Sequence, residues 1–242
     1  MKKSYAGIDL GGTFIKAGLL FADGKRLAAF KIPTEAGSGA KAVKENLIRA
    51  AENLIEIAAK HKTRLAGIGV GSPGTVEYPE GKITGSSPNI PGWIGTNIRK
   101  LLARFDVPVK GDNDANCMAL AEYMFGAGKG TKSGFYITIG TGIGGAVIQN
   151  GLLGRGASFA AGEFGHTILK YNGAKCKCGR KGCVEAYASA PALIRSAKAA
   201  IKKQRKSSLK GSIDNLSPRL IFEAFKSGDK AASLAVSKNA EM

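Results

Sequence analysis

The spacing of apolar positions changes along the chain, and each change marks a predicted element. Residues 5–8 form a short apolar run, then Asp9-Leu10-Gly11-Gly12-Thr13, then a second mostly apolar run over 14–21. Ala22-Asp23-Gly24-Lys25 predicts a tight primed hairpin turn, because Asp-Gly suits its backbone, and 26–32 returns as a third strand. Val43, Leu47, Ala50, Leu54, Ile57 and Ala58 recur at helical spacing, so 42–60 reads as an amphipathic helix with Ser38 placed to cap it. Residues 65–71 read as a buried strand ending at the small residues Ser72-Pro73-Gly74-Thr75. Residues 76–91 read as loop with short extended pieces and a surface turn at 86–89, and Trp93 reads as core. Gly95-Thr96 precedes a helix to about 104, and a strand over 107–109 delivers Asp112-Asn113-Asp114-Ala115-Asn116 to a helix over 115–125.

The opening pattern then repeats. A strand over 135–139 leads to Gly140-Thr141-Gly142-Ile143-Gly144-Gly145, a strand over 146–149 and the turn Asn150-Gly151. Two such copies predict two domains of like fold, each offering a glycine-rich hairpin tip. Residues 152–161 read as loop, 188–203 as a helix, 206–215 as a polar linker, 219–225 as a helix opened by Ser217-Pro218, and a last helix starts at Lys230.

With 242 residues, 44% of them hydrophobic and 22% charged, the chain has the composition of an ordinary globular protein of one large or two small domains. No apolar run approaches a membrane span and no signal segment opens the chain, so a cytoplasmic location is the expectation. The net charge of +18 favours anionic partners. Seven lysines and arginines and no acid lie between residues 186 and 213, which reads as a solvated helix face in preference to a nucleic-acid site.

The densest chemistry is Cys176-Lys177-Cys178-Gly179-Arg180-Lys181-Gly182-Cys183, ten residues after His166. Three thiols and an imidazole complete a tetrahedral zinc set with no open position, which means a structural ion; the other reading is a disulfide or unrelated thiols. The tip Gly11-Gly12-Thr13 can bring backbone N–H groups close to a phosphate, with Lys16 as a cation and Asp9 as a magnesium ligand. Asn89 can read a hydroxyl, with a donor and an acceptor on one side chain. Asp114 sits where a strand ends and a helix begins; it is either a base for a substrate hydroxyl or the cap of that helix.

These motifs, together with Gly162-Glu163-Phe164-Gly165-His166 and the cysteine cluster running to Glu185, resemble the ROK family of sugar kinases and regulators, in particular its glucokinase-like members. The resemblance implies an α/β, actin-like (ribonuclease H-like) fold of two domains around a cleft, 1–112 and 113–242. It also implies ATP-dependent phosphorylation of a hexose, most simply glucose, and a homodimer. By motif match Asp114 is the general base. Asn89, Asn113, Glu163, His166 and Glu185 bind sugar hydroxyls. His166, Cys176, Cys178 and Cys183 hold zinc. Gly11, Gly12, Thr13, Lys16, Gly140, Thr141, Gly142 and Gly144 contact ATP, with magnesium near Asp9. The family carries a further strand and an adenosine-binding glycine turn near its C-terminus, so the second domain is expected to be incomplete there. The alternative is a sugar-binding pseudokinase or regulator with impaired ATP binding.

Overall fold

The computed structural model describes residues 1–85, 87, 89–204 and 206–241. Packing divides them into two compact units, Met1–Tyr136 with Ala146–Ala161, and Ile137–Gly145 with Gly162–Met242. The resemblance implies a division after residue 112; by packing, 113–136 and 146–161 group with the first unit.

In the first unit β1 (Lys3–Leu10), β2 (Phe14–Leu20) and β3 (Arg26–Pro33) form an antiparallel meander. Helix α1 (Gly39–Lys60) crosses over to β4 (Arg64–Ser72), which pairs parallel to β1. Two short strands, β5 (Val76–Glu77) and β6 (Lys82–Ile83), and helix α2 (Ile98–Leu101) precede β7 (Val109–Asn113), parallel to β4. The sheet order is β3-β2-β1-β4-β7. One face of β1 and β2 (Ala6, Ile8, Leu10, Ile15, Ala17, Leu19) packs with Val43, Leu47, Ala50, Leu54 and Ala58 of α1 as one core, the strand period of two meeting the helix period of 3.6. Trp93 is fully buried and donates its indole N–H to Ser72 Oγ at 2.9 Å, so its polar edge is satisfied inside.

Helix α3 (Asp114–Phe125) follows β7 directly. Strands β8 (Gly134–Ile139), β9 (Ile143–Gln149) and β10 (Leu152–Gly154) form a sheet of order β10-β9-β8, so the expected loop at 152–161 begins as a strand. Exposure alternates along β8, and Phe135, Ile137 and Ile139 face solvent. The second unit contains the short α4 (Glu185–Ala188), then α5 (Ala190–Lys203), α6 (Pro218–Lys226) and α7 (Lys230–Ala240) around Leu193, Ala197, Ile201, Ile221, Ala231 and Ala235. Among the described residues no helix is long and apolar enough to cross a membrane.

Local chemistry corrects several boundaries. At 22–25 only Gly24 takes a positive φ (81°); its N–H bonds Phe21 C=O and the Phe21 N–H bonds Lys25 C=O, so the turn is longer than the primed two-residue form, which needs two left-handed residues. Asn150-Gly151 has both (51° and 77°) and is the primed turn. Ser38 stands at the N-cap of α1 but its side chain makes no cap bond. Asn97, in place of Gly95-Thr96, caps α2 through Lys100 N–H. The turn expected at 86–89 lies partly outside the described residues, at Ser86 and Pro88. The polar linker contains a 3-10 helix, Lys210–Asn215.

Asp229 caps α7: Oδ1 accepts Ala232 N–H at 2.9 Å, and Oδ2 accepts Ser208 N–H at 2.7 Å and Ser208 Oγ–H at 2.8 Å. Burial would raise this carboxyl, but the bonds from Ala232, Ser208 and Ser207 outweigh it and lower its pKa to about 2. A depressed carboxylate stabilises the fold fully above its unfolded pKa of about 4 and loses that contribution as pH falls toward about 2. Asp229→Ala is expected to cost about 1 kcal/mol at pH 7, a Tm loss of roughly 2–4 °C. In thermal melts the gap to the wild type should narrow as pH drops from about 4 to about 2.

Candidate active site and metal centre

The second unit holds the cysteine cluster. The candidate ligand atoms of His166, Cys176, Cys178 and Cys183 all lie within 4.8 Å of one another. Cys178 and Cys183 Sγ are 3.7 Å apart, and Cys176 Sγ is 3.7 Å from His166 Nδ1. A tetrahedron with Zn–S bonds of about 2.3 Å has edges of about 3.8 Å. All four cysteines are free thiols, so the disulfide reading does not apply. The donor set and its spacing therefore fit a zinc ion. Burial pushes the Cys176 thiol up to about 12. Burial acts the same way on Cys178, but the N–H and side chain of Arg180 and the two neighbouring thiols outweigh it and lower that thiol to about 7, which readies a thiolate for metal. Gly179 (φ 91°) and Gly182 (φ 85°) make the two left-handed turns of the knuckle, and at Gly182 a side chain would also strike the Lys170 carbonyl.

The same cluster organises its surroundings. With Nδ1 facing the thiols, His166 turns Nε2 toward Glu163, 3.9 Å away. Glu185, first residue of α4, accepts Ile143 N–H at 3.0 Å on one oxygen and lies 3.7 Å from the Cys176 thiol with the other. It thereby joins the cysteine knuckle to the Gly140–Gly144 tip. That tip is kept small by contact: a Cβ on Gly142 would stand 2.5 Å from Glu185 Oε2, and one on Gly165 would strike the Ile143 carbonyl. Gly140 C=O accepts Ala190 N–H at 2.9 Å, tying the tip to the start of α5.

The first unit assembles the other residues at one end of its sheet. Parallel register sets Asp9 beside Gly71 and Gly71 beside Asp112, with Ser72 beside Asn113. Carboxyl ends of neighbouring parallel strands are where open α/β sheets bind ligands. Asp9 pairs across the hairpin with Lys16 at 3.3 Å. Gly12 lies against Asn89, to whose Cβ a Gly12 side chain would come within 3.5 Å. Thr34 fixes the tip by donating its hydroxyl to Gly11 C=O at 2.6 Å.

At the β7–α3 junction the cap is Asn113. Its Oδ1 accepts Ala115 N–H at 2.9 Å and Asn116 N–H at 3.2 Å, and its Nδ2 donates to Gly74 C=O at 3.1 Å. Asp114, one residue on, is exposed and accepts Ala115 N–H at 2.9 Å. A Cβ on Gly71 would lie 3.4 Å from Asp114 Cα, so strand and helix start are in contact there. Cys117 lies beneath: burial, then Asp112, Asp114 and Asp9, push its thiol up to about 12. A neutral, half-buried thiol there is packing.

A model of the ROK family matches residues 5–242. The chain belongs to the ROK family. Among its relatives, a glucokinase of Halalkalibacterium halodurans is 36% identical over 96% of this chain and 71% of its own length. A xylose repressor of Caldicellulosiruptor bescii is 34% identical over 82% of this chain and 51% of its own. The structure of a ROK glucokinase from Streptomyces griseus with glucose and AMPPNP superposes with a TM-score of 0.84 at 33% identity, covering 98% of this chain and 75% of that one. The fold is thus that of the ROK glucokinases, the actin-like ATPase fold.

Two features of this ROK chain escaped sequence reasoning. Arg155 donates Nε and Nη2 to Asp112 Oδ2 at 2.9 and 2.7 Å from a stretch read as loop. Glu185 bonds Ile143 N–H across 42 residues. Spacing within a motif carries neither contact. At the candidate metal centre, the wild type is expected to carry about one zinc per chain and Cys183→Ser a small fraction of that. Elemental analysis of the purified protein measures it, and a melt on the same sample should show a lowered Tm.

Proposed function

We propose that the chain is an ATP-dependent hexose kinase of the cytoplasm, acting on glucose, with 1–112 and 113–242 as its two lobes. The observation that carries this reading is the junction of β7 and α3. Because Asn113 caps the helix, Asp114 is not needed as the cap, and it stands exposed at the carboxyl end of the sheet beside the small residue Gly71. Relatives that are glucokinases over most of this chain's length support the substrate class.

Phosphoryl transfer asks for positioning and charge neutralisation. Asp114 accepts the proton of the sugar hydroxymethyl group as its oxygen bonds to the γ-phosphorus of ATP; the bond to the β,γ-bridging oxygen breaks and ADP leaves. Asn89, Asn113, Glu163, His166 and Glu185 read the remaining hydroxyls. A sugar lacking one of these groups would leave a buried polar atom unpaired, which is the basis of selection. Gly11, Gly12, Thr13, Lys16, Gly140, Thr141, Gly142 and Gly144 serve the phosphates. Asp9, a hard oxygen donor at a strand end, would hold magnesium, which neutralises phosphate charge. His166, Cys176, Cys178 and Cys183 would hold zinc, which fixes the loop carrying Glu163 and Glu185.

The repressor relatives favour a second reading, a sugar-responsive regulator without turnover. One experiment separates the two. Sugar phosphate formation is measured over glucose, mannose, fructose and N-acetylated hexoses with ATP, and with polyphosphate because the net charge is +18, beside calorimetry of sugar binding. Turnover supports the kinase; sugar binding with no turnover from either donor sinks it. Asp114→Asn is expected to lower kcat by on the order of 10²–10⁴ while sugar affinity stays close to the wild type. His166→Ala should lose zinc and sugar affinity together.

A further inference from the structure

Among the described residues, Asp112 is the one charged side chain buried in the fold. An ionised carboxylate offers about four acceptor positions, and here all four are used. Oδ1 accepts Asn113 N–H at 2.8 Å and Asn116 Nδ2–H at 2.9 Å; Oδ2 accepts the two Arg155 donors at 2.9 and 2.7 Å. Asp112 therefore has no capacity left for a sugar, a magnesium ion or a proton in transit. What it does is hold residues 113 and 116, which flank Asp114 on either side.

Arg155 is placed to hold Asp112 in turn. Its guanidinium lies 3.8 Å from the Tyr78 ring centroid, a cation–π contact that seats the fork on the ring. Only 21% of its side chain is exposed, and its charge is spent on Asp112, so it is not a phosphate-binding arginine. A lysine could supply charge here but not two donors in a fixed fork.

We propose that Arg155 is a positioning residue for the phosphoryl-transfer base: seated on Tyr78, it grips Asp112, and Asp112 sets the Asp114 carboxylate by gripping Asn113 N–H and Asn116. This inference rests on the kinase reading above. It separates two functions in adjacent residues. The side chain of Asn113 is held independently, by Gly74 and the α3 cap, so loss of Arg155 should disturb the base more than sugar binding.

The test uses the full chain. Wild type, Arg155→Ala and Arg155→Lys are compared for kcat and KM with glucose and ATP, for glucose affinity by calorimetry, and for Tm, with and without added methylguanidinium. Arg155→Ala is expected to lower kcat roughly 10- to 100-fold, the scale of a misplaced catalytic group, with KM and glucose affinity within about threefold. Arg155→Lys should fall between, and methylguanidinium should restore part of the Arg155→Ala loss. Wild-type kcat in Arg155→Ala overturns the proposal, as does a loss that follows only the folded fraction and is rescued by neither lysine nor methylguanidinium. If Arg155→Ala does not fold, Arg155→Lys decides: reduced kcat at unchanged KM upholds the clamp, and wild-type kcat ends it. No turnover by the wild type fails the kinase reading, and this inference falls with it. Turnover by the wild type isolates the fate of the clamp.

Discussion

The first unit depends on the parallel register of β1, β4 and β7. It aligns Asp9, Gly71 and Asp112 across three strands, so two carboxylates stand on either side of a residue with no side chain. A Cβ at 71 would lie in van der Waals contact with Asp114 and Cys117, so a side chain longer than alanine's would have to displace one of them. The fully buried contact between α1 and β1–β2 secures the register from beneath. Because side chains alternate across a strand, a slip by one residue would move the row to the opposite face.

The second unit is organised by close approach. In a segment poor in regular structure, four candidate donor atoms lie within 4.8 Å of one another in one knuckle. Glu185 passes that order on to the glycine tip through Ile143 N–H. Gly142, Gly145 and Gly165 are small because carboxylate, ring and carbonyl atoms occupy the space of their missing side chains. In this unit the glycine tip and the cysteine knuckle share one mechanical support, the Glu185 carboxylate.

Much of this was legible in sequence, for local reasons. The period of Val43, Leu47, Ala50 and Leu54 announced α1, and Asn150-Gly151 announced a turn whose two left-handed residues few other pairs tolerate. The convergence of His166, Cys176, Cys178 and Cys183 was legible because the four fall within eighteen residues of sequence. What escaped was decided by partners distant in the chain. Nothing in Asp112-Asn113-Asp114 says which acid is buried; that follows from Arg155, 43 residues on. The cap question at Asp114 was open for the same reason, since Asn and Asp both cap well, and the Gly74 carbonyl holds Asn113 in the capping pose.

The exposed face of β8 has a consequence for handling. Phe135, Ile137 and Ile139 present an apolar stripe on the terminal strand of its small sheet, the kind of edge that templates pairing between molecules. A net charge of +18 opposes such encounters by long-range repulsion. Repulsion weakens as ions screen it, over about 10 Å at 0.1 M and about 3 Å at 1 M, while the stripe's attraction does not. Colloidal stability is therefore a balance struck by the ionic strength of the buffer, and dilute salt is the side on which single molecules are kept apart.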